Sequence, residues 1–563
     1  MTKEVRKKQL ALRTAALLAA LVVIAGLVIF LVIRFVPSGK HMDAASYFGV
    51  SEGRTPVVAD GKVLSGKSIE NGPELYLDLE DVSASVNSSF FYEDTEDLLI
   101  VSAPREVYKM SLSGGRTGNG EAVREDESIG VSLSFLERMT DAVFDVYEDP
   151  HRVVIRTEHT LPVMTFSEDA PIRQKAGIRS PIVKDCKQGE TVFVPDYGAD
   201  GSEKEGKAPK WTRVYTEDGF AGYVEDRFLT GLEVSETAHR YPAGEYTKLL
   251  SGEPLNIVFH QTTDQASNNA LEESLEGVEG VNVIAPTWFF MDGGGDLTSL
   301  ASESYVETAH ERGLGVWAVL NDFDGMIASP ADTSEALSSD ANRSALIDTV
   351  TEEIVRSGAD GLIIDIELVR EGAAADYAEL IRELSSSMRR EGKVLAVCTY
   401  VPRFTKYLNR PELSKAADYI IVMCYDENTA GSKKAGSVSS LPFVKRGITD
   451  TIREVPKEQV IAALPFFTRL WETDADGSVS SKSYGMSAAA SRMEELQMSP
   501  SFDEQTGQNY AEKKSGDTLF QIWVEDAASL GEKMEAVRDA GCAGIAEWKL
   551  GLETPDVWEV LEL

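Results

Sequence analysis

The sequence predicts a multidomain protein that ends in a parallel (β/α)8 barrel, on three observations. From about residue 250 onward, near-continuous apolar strands alternate with amphipathic helices. Between about 51 and 235, short strands of period 2 are separated by Gly, Asn and Asp turns. Ahead of both, an uncharged run from Thr14 to Ile33 follows a basic leader. A chain of 563 residues also exceeds what one hydrophobic core usually organises.

Lys3, Arg6, Lys7, Lys8 and Arg13 form a basic segment at 1–13, and the run that follows is long enough to span a hydrocarbon core as a helix before Arg34 and Pro37 end it. A cleavable signal peptide would have a shorter apolar region and a small-residue cleavage site after it. The expectation is therefore an uncleaved transmembrane anchor at 14–34 in a single-pass cell-membrane protein. Basic residues before the span place the N-terminus in the cytoplasm and the remaining domains outside. A linker at 35–50 leads into them.

Residues 51–160 contain segments such as LYLDLEDV, LLIVSAP and RVVIRTE, which predict a small α+β or β-rich domain. This region resembles the N-terminal repeat domain of copper amine oxidases in pattern. Residues 161–235 alternate more regularly, with a Gly-containing turn before each reversal. Through Lys187, Gly189 and Glu190 in a turn, Trp211 before a strand, and Gly222 to Val224, they resemble a bacterial SH3-like β-barrel. Such domains often bind the stem peptides of the wall and often act only as spacers.

The predicted barrel strands are 255–260, 281–288, 315–322, 361–367, 394–400, 419–426, 460–467 and 543–550. Strands apolar on both faces and spaced by helices imply a parallel sheet covered on both sides, and eight of them close into a barrel within 250–563. The stretch of about 469–518 is too long for a plain connection and predicts a small α+β insertion.

Within strand 361–367, carboxylates are out of place. Side chains alternate, so Ile363, Asp365 and Glu367 share the face that looks into the lumen, at the C-terminal mouth where barrel enzymes work. Confinement and a neighbouring negative charge raise a carboxyl pKa, and a carboxyl that keeps its proton can act as a general acid on a leaving oxygen.

The run DGLIIDIE, from Asp360 to Glu367, resembles the fourth-strand signature of glycoside hydrolase family 18, the chitinases and related N-acetylglucosaminidases. The resemblance continues in chain order through Met423, Tyr425 and Asp426, the segment Pro465 to Arg469 with Trp471, and Trp548. It implies Glu367 as catalytic acid, Asp365 as its partner, Tyr425 on the substrate acetamido carbonyl, and Trp548 as the aromatic floor. It implies substrate-assisted, retaining hydrolysis with no metal or organic cofactor. Ile363, Phe467 and Thr468 depart from the family pattern, and an apolar residue 363 should shorten any proton relay below Asp365. The spore-germination branch of the family is the nearest in character.

Strand ends supply the remaining candidates for substrate binding. Trp288, Tyr400, Trp471 and Trp548 are candidate stacking platforms, Asn321 a hydrogen-bonding partner, and Met423, Asp426 and Arg469 wall residues. Asp322 is expected to cap its own loop as readily as to bind sugar, and His260 to be a satisfied packing histidine. Four scattered cysteines, Cys186, Cys398, Cys424 and Cys542, predict neither a disulfide framework nor a zinc site, although Cys398 and Cys424 fall on neighbouring strands.

A formal charge of −37 argues against nucleic-acid binding and would repel anionic polymers unless they are recognised locally. The expected partner is an N-acetylglucosamine-containing glycan, peptidoglycan or chitin-like. The alternative is a catalytically weak or inactive, lectin-like wall protein.

Overall fold

A computed structural model gives the fold and describes residues 7, 13–27, 36–51, 55–66, 68–71, 74–198, 202–204, 206–236, 246–294, 296–322 and 329–562. The expected anchor at 14–34 lies partly outside these residues. Its described part, 14–27, is helical and exposed, and no helix among the described residues is long and apolar enough to cross a membrane. The chain divides into two compact units, one of 1–88 with 114–242 and one of 89–113 with 243–563.

In the first unit, residues 69–78 and 122–132 form a four-stranded antiparallel sheet in which Tyr76 lies opposite Ser132. A second sheet joins Val57–Ala59 and Lys62–Val63 to the hairpin Val143–Glu148 and His151–Arg156. Helices Leu79–Ser85 and Leu133–Met139 each follow a strand, and the side chains of Asp78 and Ser132 cap them by accepting from backbone amides. The order strand, helix, hairpin thus occurs twice, at 74–102 and at 128–156. Seven antiparallel strands between Thr160 and Glu236 form a separate sheet around Phe166, Ile172, Val194, Val214 and Val224.

The expected domain at 51–160 is not one body. Its hairpin Phe90–Glu93, Leu98–Ser102 and Val107–Ser111 belongs to the second unit, where it covers helices Asp340–Ser357 and Ala374–Glu391. Polar contacts fix it there. Ser102 donates to Glu379 at 2.5 Å, Lys109 lies 2.6 Å from Asp340 and 3.1 Å from Glu383, and Arg343 binds Glu383 at 3.0 Å. Helix 374–391 ends as expected, with Arg389 and Arg390 in its last turn and Gly392 left-handed at φ 66°.

The barrel strands are β1 (Leu255–His260), β2 (Val283–Pro286), β3 (Gly315–Asn321), β4 (Gly361–Asp365), β5 (Val394–Tyr400), β6 (Tyr419–Met423), β7 (Val460–Pro465) and β8 (Gly544–Trp548). Every neighbouring pair is parallel, and β8 closes on β1 with Leu255 opposite Gly544. The C-terminal region is therefore an eight-stranded parallel barrel.

Alternation sorts its side chains into two cores. Leu362, Ile364, Val397 and Val422 pack outward against helices, while Val319, Ile363, Ala396 and Ile421 fill the lumen. A Cβ on Gly361 would lie 2.9 Å from the Trp317 ring and 3.0 Å from Val394, so the tight base of β4 requires glycine there. Between β7 and β8 the chain forms a five-stranded antiparallel lobe with helix Met486–Glu495, running from Phe467 to Val524.

Candidate active site

Strand β4 is shorter than the sequence predicts, ending at Asp365. Asp365 points into the lumen and is 4% exposed, while Glu367 lies just past the strand end and is half-buried. What holds Glu367 in place is Asp322, immediately after β3. One Asp322 oxygen accepts the Glu367 amide at 2.8 Å, and the other accepts the Leu368 amide at 3.0 Å and the Thr333 hydroxyl at 2.8 Å. Asp322 is completely buried, so it clamps the end of β4 to the end of β3 and does not face sugar. Across from it, the Tyr400 hydroxyl at the end of β5 donates to the Glu367 carboxylate.

This arrangement crowds acids without neutralising them. Burial, then the charge of Glu367, drives the Asp365 pKa far above the usual carboxylate range, while the Cys398 thiol pulls it back. Burial also raises Glu367, opposed by the Tyr400 hydrogen bond and reinforced by Asp322 and Asp426. Burial lifts Asp426, and Arg469 counteracts it. No lysine or arginine forms an ion pair with Asp365 or Glu367 among the described residues. Burial thus holds both carboxyls toward their protonated forms, and the charge of Glu367 adds to the effect at Asp365. Asp365 Oδ1 is buried without a hydrogen-bond partner among the described residues and points into this site.

Ile363 is fully buried one layer below, with Val319 and Ala396 as its register neighbours. The lumen beneath Asp365 is thus apolar, and among the described residues no further carboxylate continues a relay downward.

Several expected wall residues converge here. Tyr425 projects inward just past β6 and meets Phe467 edge-on at 6.1 Å. Met423 lies in the lumen layer, Trp548 is partly exposed against Phe259 at 5.5 Å, and Tyr400 lines the same mouth. Asn321 is fully buried opposite Asp365 in the β3–β4 register. Asp426 and Arg469 are half-buried.

Two expected stacking platforms are not available to a sugar. Because β2 ends at Pro286, Trp288 turns into the layer between barrel and helices, where it is fully buried, donates to Asn268 at 2.8 Å and abuts Tyr305. Trp471 is equally buried, and its indole donates to the Gly436 carbonyl at 2.8 Å, which ties the inserted lobe to the loop after β6.

Other motif residues serve the fold. Asp360 lies at the opposite end of β4, accepting from the Val316 amide and His310, each at 2.8 Å. His260 pairs with the Tyr305 hydroxyl at 2.8 Å, and burial pushes its pKa down to about 4, so it is neutral at pH 7. All four cysteines are free. Cys398 faces the lumen and Cys424 the helices, so adjacent strands do not bring their thiols together.

Sequence reasoning missed the clamp made by Asp322 and Thr333 and the place of Cys398 beside Asp365. The available signal was an aspartate closing an apolar strand next to the acidic one.

Residues 315–553 match the family described as "Glycosyl hydrolases family 18". The chain is 23% identical over 323 residues to "Uncharacterized glycosylase YvbX" of Bacillus subtilis, covering 54% of this chain and 90% of that protein. It is also 23% identical over 230 residues to the "Cortical fragment-lytic enzyme" of the same organism, covering 38% of this chain and 52% of that protein. In fold, it superimposes on the crystal structure of the Bacillus cereus spore cortex-lytic enzyme SleL with a TM-score of 0.50 at 17% identity, over 59% of this chain and 77% of that one. Residues 315–553 are thus a glycoside hydrolase family 18 domain, and the chain is a glycoside hydrolase.

Proposed function

We propose that this chain hydrolyses β-linked N-acetylglucosamine-containing glycan, with peptidoglycan as the substrate, by a substrate-assisted retaining mechanism. The observation that carries the reading is the acid pair at the barrel mouth, Asp365 in the lumen and Glu367 held by the Asp322 clamp and the Tyr400 hydroxyl, with no ion pair to either among the described residues. Glu367 delivers its proton to the leaving glycosidic oxygen. The substrate's 2-acetamido oxygen attacks the anomeric carbon to form an oxazolinium, with Asp365 Oδ1 accepting from the acetamido N–H and the Tyr425 hydroxyl holding its oxygen. Water, deprotonated by Glu367, then opens the ring with retention. Trp548 supplies the flat apolar face beneath the reacting sugar.

Peptidoglycan is favoured over free chitin by the names of the relatives, which include cortical fragment-lytic enzymes, and by the all-antiparallel sheet at 160–236, read as an SH3-like module. The basic leader and apolar run at 1–34 support a membrane-anchored enzyme working outside the cell. Ile363 favours a second reading, a slow enzyme or a lectin-like binder, because the lumen below Asp365 cannot take up its proton. Release of reducing ends from purified peptidoglycan, lost in Glu367→Gln, tests the first reading. Tight glycan binding with no product from the unmutated chain would support the second.

A further inference from the structure

The exposed bases around the mouth of this acidic chain are gathered on one side. The sequence carries 92 acidic and 55 basic residues. Yet the three successive loops after β4, β5 and β6 expose Arg370, Arg403, Lys406, Lys433 and Lys434. Apart from Glu367 and Asp426, both half-buried in the site, the acids in these loops are Glu371 and Glu427, and Glu427 is already engaged by the Ser440 amide at 3.0 Å. None of the five bases forms an ion pair among the described residues, in a protein whose other surface cations repeatedly do.

These cations are held in place without being neutralised. Arg370 donates to the carbonyls of Val369 at 2.9 Å and of Glu367 itself at 3.3 Å. The Arg403 guanidinium lies over the Phe404 ring at 4.6 Å and the Phe443 ring at 5.0 Å, an anchorage that leaves its charge available. Tyr407 ties the β5 loop to the β4 loop through the Val369 carbonyl at 2.9 Å. The loop carrying Lys433 and Lys434 is fixed by Trp471 on Gly436 and by Asn428 on Ser437, each at 2.8 Å. All three loops start from strand ends that supply Glu367, Tyr400 and Asp426. By contrast, the loop after β2 carries Asp292 and Asp296 and no base.

We infer that the β4–β5–β6 rim is a carboxylate-binding surface that selects, among N-acetylglucosamine glycans, chains bearing carboxylate substituents. This deepens the glycosidase reading above and rests on it. The acidic remainder of the chain repels polyanions at long range, so an anionic chain approaches through this rim, where guanidinium and ammonium groups bind its carboxylates. Such contacts are exposed and weaken as salt rises.

The test compares a neutral β-1,4-linked N-acetylglucosamine oligomer with the same oligomer carrying O-carboxymethyl groups. The full chain and a variant combining Arg403→Gln, Lys406→Gln, Lys433→Gln and Lys434→Gln are assayed at low and high salt. The expected result is a kcat/KM preference for the carboxylated oligomer of roughly tenfold at low salt, lost at high salt and in the variant. The variant's rate on the neutral oligomer should stay within about twofold of the original. Equal kcat/KM on the two oligomers in the unmutated chain, or a variant that loses both activities alike, overturns the proposal. Binding of both oligomers to Glu367→Gln separates the two readings. If the unmutated chain cleaves neither oligomer while Glu367→Gln binds the carboxylated one preferentially and salt-dependently, the rim stands and the glycosidase reading falls. Cleavage without preference gives the converse.

Discussion

Asp365 and Glu367 at the barrel mouth, and Glu525 where the inserted lobe returns to the barrel, are acids at the ends of strands, Glu367 half-buried and the other two buried. Their surroundings differ in one respect. Both Glu525 oxygens accept from Lys533, at 2.7 and 2.5 Å, and Ser529 and Gln508 donate to it at 2.8 and 2.6 Å. Burial raises its pKa to about 7, and Lys533 holds it from going further. The pair at the mouth has the Tyr400 hydroxyl and the Cys398 thiol as neighbours and no ion pair among the described residues. Glu379 and Glu383, under the 89–113 hairpin, follow the Glu525 pattern through Arg382, Arg343 and Lys109. A buried carboxylate with a cation becomes part of the framework, and one that burial leaves protonated can do chemistry.

The sharpest break of this comparison is Glu367→Gln. It should cost roughly 10³-fold or more in kcat, the scale of a lost general acid, while leaving the melting temperature unchanged or raised. Stability has a definite pH sign here. The folded pKa values of Asp365 and Glu367 lie above their unfolded ones, so the stability they contribute is fully present below the unfolded pKa and lost as pH rises through the folded pKa. Thermal melts across pH should show that loss in the unmutated chain and less of it in Glu367→Gln.

Lys533→Met should do the reverse. Leaving Glu525 buried and unpaired should cost about 3–5 kcal/mol in chemical unfolding, with kcat preserved in the surviving folded fraction. Adding Glu525→Leu to it should recover most of the loss.

A smaller effect is expected from Asp322→Asn, which turns one of the two acceptors into a donor facing an amide. A misplaced Glu367 should lower kcat by about 10–100-fold with little change in KM. The smallest is Tyr400→Phe. Its hydroxyl stabilises the ionised Glu367, so its loss raises that pKa, and the basic limb of the kcat profile should move to higher pH. A downward shift would show that Tyr400 favours the protonated form instead.

The local rules were readable where they rest on neighbours in the chain. Period-2 alternation put Ile363 and Asp365 on one face of β4 and Leu362 and Ile364 on the other, and the Arg–Arg–Glu–Gly ending of helix 374–391 marked its C-terminus. Reading failed where the next contact is distant. Trp288 and Trp471 look like strand-end platforms in sequence, but a strand that stops two residues early and a lobe folding back bury both indoles.

By itself, then, the sequence determined the barrel, its inserted lobe and the face on which the acidic pair sits, because side-chain alternation and apolar periodicity follow from backbone geometry alone. Only the tertiary structure decided which acids are paired, that Asp322 clamps Glu367 across 45 residues, that the 89–113 hairpin belongs with the barrel, and that a chain of net charge −37 exposes on three neighbouring loops of its mouth five bases with no ion pair among the described residues. Partnership between charges is set by which strand ends and loops meet in space, and nothing in a local periodicity records that meeting.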